Sequence, residues 1–111
     1  MSAMDQTFTY RVAREAQQEV FFLSGIIDNE AEPSFGELQK QVSGPALVLD
    51  FSDVGRVNSM GIALILRCLK HLTRERNLEV QIRGVNQING MLFKMSGIYL
   101  MAREVPPRGT V

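Results

Sequence analysis

The chain has 111 residues, a length that suits one domain, with 45% hydrophobic and 22% charged residues, the balance of an ordinary globular protein. Twelve basic residues face twelve acidic ones, so the sequence lacks the basic excess that nucleic-acid binding requires. The single cysteine, Cys68, excludes an internal disulfide and a zinc site of several thiolates, and it fits a reducing cytoplasm.

The first part of the chain predicts a hairpin. Residues 7–12 alternate between apolar and polar side chains, which is typical of a half-buried strand. Residues 19–27 are rich in β-forming residues and predict a second strand, in which Gly25 indicates a bulge or a close backbone approach. Residues 13–18 would then form the turn between the strands.

A helix is predicted next, beginning after residues 28–34 and capped by Asn29 or Ser34. Its inward residues recur at helical spacing, and they are Phe35, Leu38 and Val42. Residues 43–45 (SGP) end it, and the apolar run 46–51 then predicts a strand buried on both faces.

The second half predicts two further helices separated by a strand at residues 79–83. The helix over 61–75 has the clearest apolar stripe of the chain, formed by Ile62, Ile65, Leu66, Leu69 and Leu72. The helix over 86–95 is weaker, and its expected inward residues are Ile88, Leu92 and Met95. Core packing is also expected for Met91 and Phe93, and residues 98–105 are expected to form a last strand or an extended strip.

Together these elements predict an α/β fold with the order ββαβαβα. Alternation after the hairpin implies a mixed sheet of about five strands with helices mainly on one face. We expect an N-terminal segment at 1–6, one domain at 7–105 and a tail at 106–111. Because no signal peptide and no membrane-spanning stretch are found, we expect a soluble, cytoplasmic protein without direct membrane insertion.

The segment Asn58-Ser59-Met60-Gly61 carries the functional information. It lies between a buried strand and the strongest helix, so Ser59 is expected at the helix N-terminus, where backbone N–H groups lack intrahelical partners. On local chemistry, Asn58 or Ser59 simply caps the helix. Alternatively, Ser59 is presented to a partner or a kinase. The helix dipole would tolerate a phosphate at this position.

Three short motifs in this order resemble those of the STAS domain family, which includes bacterial anti-sigma factor antagonists. Residues 58–61 are similar to the family's D-S-[ST]-G turn, with Ser59 at the position of the phosphorylated serine. Residues 25–28 (GIID) resemble its G-x-[LI]-D motif, and residues 92–98 (LFKMSGI) resemble its L-F-x-x-[ST]-G-[LIV] motif.

The resemblance implies a non-enzymatic domain that docks on an anti-sigma factor or serine kinase, is released when Ser59 is phosphorylated, and is restored by a phosphatase. The expected partner-binding residues are Asp28, Asn58, Ser59, Met60, Gly61 and Ile62. Two departures leave room for a relative that binds without being phosphorylated. Asn58 replaces an aspartate, and residues 106–109 (PPRG) disfavour the family's C-terminal helix.

Other residues favour ordinary structural roles. His71 comes twelve residues after Ser59, which is about 18 Å along a continuous helix at 1.5 Å per residue. The two side chains therefore cannot form a nucleophile–base pair. Cys68 is expected to pack in the core. Asp28 is either a cap or part of the Ser59 site, and turn roles are expected for Asp50 and Asp53 rather than metal binding.

Other functions remain open at the level of the sequence. One is a STAS-like subunit of a membrane lipid-transport ABC complex, which binds the ATPase. Another is a sensor of a small ligand or nucleotide, although no phosphate-binding glycine motif supports it. We predict no catalytic residue, no metal and no cofactor, and the oligomeric state, a homodimer included, is left open.

Overall fold

The structure is a computed structural model that describes residues 6–109, so the expectations for segments 1–6 and 106–111 lie partly outside the described residues. Its sheet has five strands in the order β1-β2-β3-β4-β5. They are β1 Thr9–Glu15, β2 Gln18–Ile27, β3 Ala46–Val57, β4 Glu79–Arg83 and β5 Arg103–Glu104. The first pair is antiparallel and the other neighbours are parallel, which confirms the predicted mixed sheet.

Three α-helices connect the strands: α1 Glu32–Gln41, α2 Ser59–Lys70 and α3 Gln87–Ser96. A π-helical turn, His71–Glu75, continues α2 to the predicted end of that helix. Residues 98–105 are only partly a strand, because a 3-10 turn at Ile98–Leu100 precedes the two-residue β5. Within residues 6–109 no helix is long and apolar enough to span a membrane.

One face of the sheet packs against all three helices and forms the core. The sheet contributes Phe21, Leu23, Leu47, Leu49, Phe51, Val80 and Ile82, and the helices contribute Phe35, Leu38, Ile65, Leu69 and Phe93. Of the predicted inward residues of the first two helices, six are buried as predicted, namely Phe35, Leu38, Val42, Ile65, Leu69 and Leu72, whereas Ile62 and Leu66 are only partly buried at the margin of the core. Cys68 is buried among them, as predicted, and burial raises the pKa of its thiol to about 12.

The first hairpin turn is shorter than predicted. The strands run to Glu15 and resume at Gln18, so only Ala16 and Gln17 form the turn, with φ angles of 50° and 68°. A two-residue hairpin turn needs positive φ at both positions, for which Asn-Gly is the usual signal. Ala-Gln carries no such signal, and the predicted turn over 13–18 was wrong.

Strand β3 is longer than the apolar run that predicted it, because it continues through residues 52–57 beside the end of β2. The pairing is irregular there, with a register shift between Gly25 and Ile26. Gly25 has a φ of 94°, and a side chain on it would lie 2.6 Å from the carbonyl oxygen of Thr7. The predicted bulge at Gly25 is confirmed.

Helix α3 is rotated relative to the prediction. Asn89 and Phe93 face inward, whereas the expected core residues are exposed: Ile88 by 75%, Met91 by 60%, Leu92 by 37% and Met95 by 82%. The inward assignment of those four was wrong, and that of Phe93 was right. The side-chain amides of Asn86 and Asn89 donate hydrogen bonds to the carbonyl oxygen of Gly55, at 3.2 and 3.4 Å. These bonds tie Asn86 and Asn89 to β3, and the apolar stripe lies on the exposed side of the helix.

The other face of the sheet carries a buried ion pair. Asp50, predicted to lie in a turn, is instead buried within β3, and its carboxylate accepts a hydrogen bond of 2.7 Å from Nε of Arg83 on β4. Arg83 also pairs with Glu15 at 3.1 Å, and Glu15 pairs in turn with Arg108 of the C-terminal segment at 2.8 Å. Since β5 lies at the opposite edge from β1, residues 105–108 cross this face and tie the two edges together.

Burial alone would raise the pKa of Asp50. The hydrogen bonds from Arg83 and from the backbone N–H of Ser52 outweigh that effect and hold the pKa of Asp50 below its ordinary value. Glu19 behaves similarly. Its burial is outweighed by hydrogen bonds from the N–H groups of Gly44 and Ser43 and from the Ser43 hydroxyl, so its pKa is also lowered.

The first turn of α2 rests directly on the end of β2. The N–H of Asn58 donates to the carbonyl oxygen of Ile27 at 3.2 Å. Gly61 packs so closely on the same carbonyl group that a side chain at that position would overlap it. Glycine at 61 is thus required by the close approach of the helix to the sheet.

We expect Gly61→Ala to lower the free energy of unfolding by about 1–3 kcal/mol, because the added methyl group must displace α2 from Ile27. Gly36→Ala is the control, since no atom lies within 4 Å of its added carbon. It should raise the free energy of unfolding by about 0.5–1 kcal/mol through helix propensity. Urea unfolding of both variants measures the difference, and equal stabilities would contradict the close contact.

We expect acid to unfold the protein through Asp50 and Glu19. A carboxyl group whose folded pKa is lowered stabilises the fold fully above its unfolded pKa of about 4, and the stabilisation is lost as the pH falls through the folded pKa. Asp50→Asn should lower the free energy of unfolding at pH 7 by about 3 kcal/mol and flatten its decline below pH 4.

The control for this measurement is Asp53→Asn, which changes an exposed aspartate on the same strand. It should alter the free energy of unfolding by less than about 0.5 kcal/mol at pH 7. If Asp50→Asn and Asp53→Asn gave the same dependence on pH, the stabilising role of the Asp50–Arg83 pair would be wrong.

Candidate functional site

Ser59 is the first residue of α2, and its side chain is exposed. The capping role belongs to Asn58, whose side-chain oxygen accepts a hydrogen bond from the N–H of Gly61 at 2.8 Å. An uncharged amide therefore supplies the cap, and the Ser59 hydroxyl is not needed for it. Of the two alternatives drawn from the sequence, the cap applies to Asn58 and leaves Ser59 available for contact.

The other expected binding residues differ in how much they present to a partner. Met60 is 51% exposed at the helix tip, and Ile62 is half-buried. Gly61 is buried against Ile27, so it supports the first turn of α2 and is not itself available for contact. Asp28 caps the short turn Asn29–Ala31, because its carboxylate accepts a hydrogen bond from the N–H of Glu30 at 2.9 Å.

A shallow groove runs beside Ser59 between α2 and α3. Its volume is about 270 Å³, and its lining residues are Ser59, Ile62, Leu92, Met95 and Ser96. Apolar side chains dominate this lining, with hydroxyl groups at Ser59 and Ser96. Such a surface fits apolar side chains of a protein better than a charged small ligand such as a nucleotide.

The three sequence motifs converge at this place. The end of residues 25–28 contacts the start of residues 58–61 through the carbonyl group of Ile27, and Leu92, Met95 and Ser96 of residues 92–98 line the groove with Ser59. The contribution of α3 was missed because its apolar spacing predicts an amphipathic helix without saying which side meets the core. In the structure Asn89 and Phe93 lie on the side that meets the core.

Other candidate residues lie apart from the groove. His71 follows the far end of α2, where its Nδ1 atom lies 3.3 Å from the carboxylate of Glu75. Among residues 6–109, no group of three or more His, Cys, Asp or Glu side chains could hold a metal ion. What the described residues bring together here is an apolar groove with the exposed Ser59 hydroxyl group at its edge.

Solved structures with the same fold include regulatory proteins. An anti-sigma factor antagonist from Mycobacterium paratuberculosis is 26% identical, with 97% of this chain and 92% of that chain covered and a TM-score of 0.69. The anti-sigma factor antagonist SpoIIAA in its unphosphorylated form is 16% identical, with coverages of 87% and 88% and a TM-score of 0.68. The STAS domain of a SulP transporter from Vibrio cholerae is 16% identical, with coverages of 79% and 71% and a TM-score of 0.57.

The similarity therefore covers nearly all of the chain, although the second and third structures are distant enough to show the fold alone. No curated protein matches the sequence significantly. A family model described as "Mlab, STAS domain" matches residues 10–99, a range that contains the Ser59 turn, α3 and all of the hairpin except its first residue. The fold, the converging motifs and this match establish that the chain belongs to the STAS domain family.

Proposed function

We propose that the protein is a non-enzymatic regulatory domain that binds a protein partner through Ser59, Met60, Ile62 and the adjoining groove. The observation that carries this proposal is the exposure of Ser59 at the edge of an apolar surface, on a helix tip held rigidly by Gly61 and Asn58. Exposed apolar side chains beside one rigid polar group are typical of a protein-binding site. Asp28, a further proposed contact residue, comes one residue after Ile27, whose carbonyl group accepts a hydrogen bond from Asn58.

Charge at Ser59 would control this binding. Phosphorylation adds about −1.5 to −2 charge and three acceptor oxygens, which the free N–H groups and the dipole of α2 tolerate in the isolated protein. A partner packed on Met60 and Ile62 would instead have to bury that charge beside apolar side chains, which is costly. The modified protein would therefore stay folded while its complex dissociates.

The partner proposed first is an anti-sigma factor that is also a serine kinase, with a phosphatase to restore the unmodified protein in the cytoplasm. Support comes from the 26%-identical antagonist and from the serine in the motif. Asn58 replaces the family's aspartate, but it already supplies the cap at 2.8 Å. The position of Ser59 therefore does not depend on a charge at residue 58.

We expect Ser59→Glu to weaken binding to the partner recovered from native cells by at least about tenfold, because the new carboxylate must be desolvated in the complex. The same substitution should leave the fold intact and raise the free energy of unfolding by about 0.5 kcal/mol, since a negative charge at a helix N-terminus is favourable. Titration by calorimetry and urea unfolding measure the two effects.

Two variants make this measurement specific. Ser59→Ala should bind the partner much more tightly than Ser59→Glu does, because it removes one contact hydroxyl group without adding charge. Ser34→Glu adds the same charge on α1, away from the groove, and should leave binding unchanged. Equal affinity of Ser59→Glu and the wild type would end the proposed control by charge.

A second candidate is the STAS-like subunit of a membrane lipid-transport ABC complex, which would use the same surface to bind the ATPase. The description of the matching family model supports it. Met60 is also consistent with it, because a bulky residue follows the serine where antagonists of the family have a small hydroxyl residue. In this case Ser59 would be a contact residue and not a kinase substrate.

Affinity purification of the tagged protein from its native cell separates the two candidates. A regulator of sigma factors should co-elute with a serine kinase, and intact-mass spectrometry should find a fraction of the chain heavier by one phosphoryl group at Ser59. A transport subunit should co-elute with an ATPase, and Ser59 should be unmodified. If neither pattern appeared, both proposed functions would be contradicted.

A further inference from the structure

The exposed face of α3 has the pattern of a helix that normally packs against another helix. Its residues recur at positions i, i+3, i+4 and i+7, and they are Ile88, Met91, Leu92 and Met95. Such a stripe usually faces a core. Here Asn89 and Phe93 occupy the inward side, so the stripe is left on the surface.

The stripe is continuous with the Ser59 site. Leu92 and Met95 form one wall of the groove, and Ile62 forms part of the other. Met91 and Ile88 extend the apolar surface beyond the groove along the same helix. The result is an elongated apolar surface that is longer than a single turn of helix and has Ser59 at its edge.

The charges on the two helices that flank the groove have one sign. Helices α2 and α3 contain Arg67, Lys70 and Lys94 but no acidic residue. Arg67 forms an ion pair with Glu32 of α1, whereas Lys70 and Lys94 form none with any residue in the range 6–109. On a helical projection Lys94 lies next to Met91, at the margin of the stripe.

From this arrangement we propose that the groove binds an amphipathic helix of the partner, with apolar residues at helical spacing and aspartate or glutamate at its flanks. This mode of docking rests on the proposed function and defines the partner's contact element. Apolar residues of the helix would pack on Leu92, Met95 and Ile62, and an acidic flank would lie near Lys94. Methionine side chains adapt readily to such a surface.

Two other occupants are disfavoured by the same charges and shape. A second copy docked α3 to α3 would bring lysines together without acidic partners, which costs energy. An anionic membrane would attract the lysines, but a flat lipid surface would not fill a groove between two helices. An acidic amphipathic helix complements both the concave apolar surface and the positive charge beside it.

Docking of an acidic helix also gives the charge at Ser59 a second effect. The Ser59 side chain lines the groove itself. A phosphoryl group there would lie close to the acidic flank of the bound helix, so repulsion between like charges would add to the cost of desolvation. The same groove would thus bind the helix and respond to modification.

Selection of short helical peptides displayed on phage tests this proposal. The wild-type protein is the bait, and the Leu92→Asp/Met95→Asp double variant is used for counter-selection; both substitutions are at exposed positions, and circular dichroism confirms that the variant is folded. We expect enriched peptides with apolar residues at i, i+3 or i+4, and i+7, flanked by Asp or Glu. The affinity of the consensus peptide, measured by fluorescence anisotropy, should fall at least about tenfold in the double variant and several-fold in Lys94→Glu. Val12→Asp, which alters an exposed apolar residue on β1, should bind the peptide as the wild type does.

Several results would overturn the proposal. They are an absence of enrichment, enriched peptides without acidic residues, and binding that is indifferent to the double variant. Binding to phosphatidylglycerol vesicles that Met95→Asp abolishes, without any peptide enrichment, would assign the surface to a membrane. A dimer that Met95→Asp abolishes would assign it to a second copy. Loss of peptide binding in Ser59→Glu supports both the groove and the switch, whereas unchanged binding supports the groove and rejects the switch.

Discussion

The contact between the carbonyl group of Ile27 and the first turn of α2 holds the site together. That oxygen accepts a hydrogen bond from Asn58, and Gly61 packs against the same group without room for a side chain. Because β2 is a buried strand of the sheet, this contact fixes the first turn of α2 to the core. Ser59 and Met60 are therefore presented on a fixed surface, which lowers the conformational entropy lost on binding.

The same contact explains why short motifs far apart in sequence identify this fold. Glycine at 25 permits the bulge that shifts the end of β2, and this shift accompanies the pairing of Ile27 with Val57 immediately before the turn. The cap at Asn58 then begins the helix within one residue of that pair. Gly25, Asn58 and Gly61 each have a geometric role that another residue type would disturb, so these motif positions carry structural information as well as any functional information.

Most of the architecture could be predicted from the sequence because its apolar periodicities are strong. The central strand, the stripe of α2 and the order of the elements follow from local patterns. The Ala16-Gln17 turn could not be predicted, because those residues adopt positive φ only when the paired strands impose it. The Asp50–Arg83 pair joins residues on neighbouring strands, and nothing in the local sequence of either indicates the other.

The orientation of α3 shows where periodicity reaches its limit. An amphipathic spacing defines an apolar side, but the side that faces the core depends on what the polar side can bind. Here Phe93 is buried in the core and the amides of Asn86 and Asn89 reach the backbone of β3, while the other four apolar side chains of the helix face solvent. Those side chains remain available on the surface, and the most informative part of the candidate site is the part that local patterning assigns to the interior.

The burial of Cys68 has a practical consequence for work on this surface. Its thiol is enclosed by the core, and with a pKa of about 12 it stays protonated at neutral pH, so it reacts slowly with alkylating reagents. A cysteine introduced at the exposed Ala63 position of α2 would then be labelled selectively by a maleimide dye, without removal of the natural residue. Such a fluorophore would sit one helical turn from Ser59 and report directly on occupancy of the neighbouring groove.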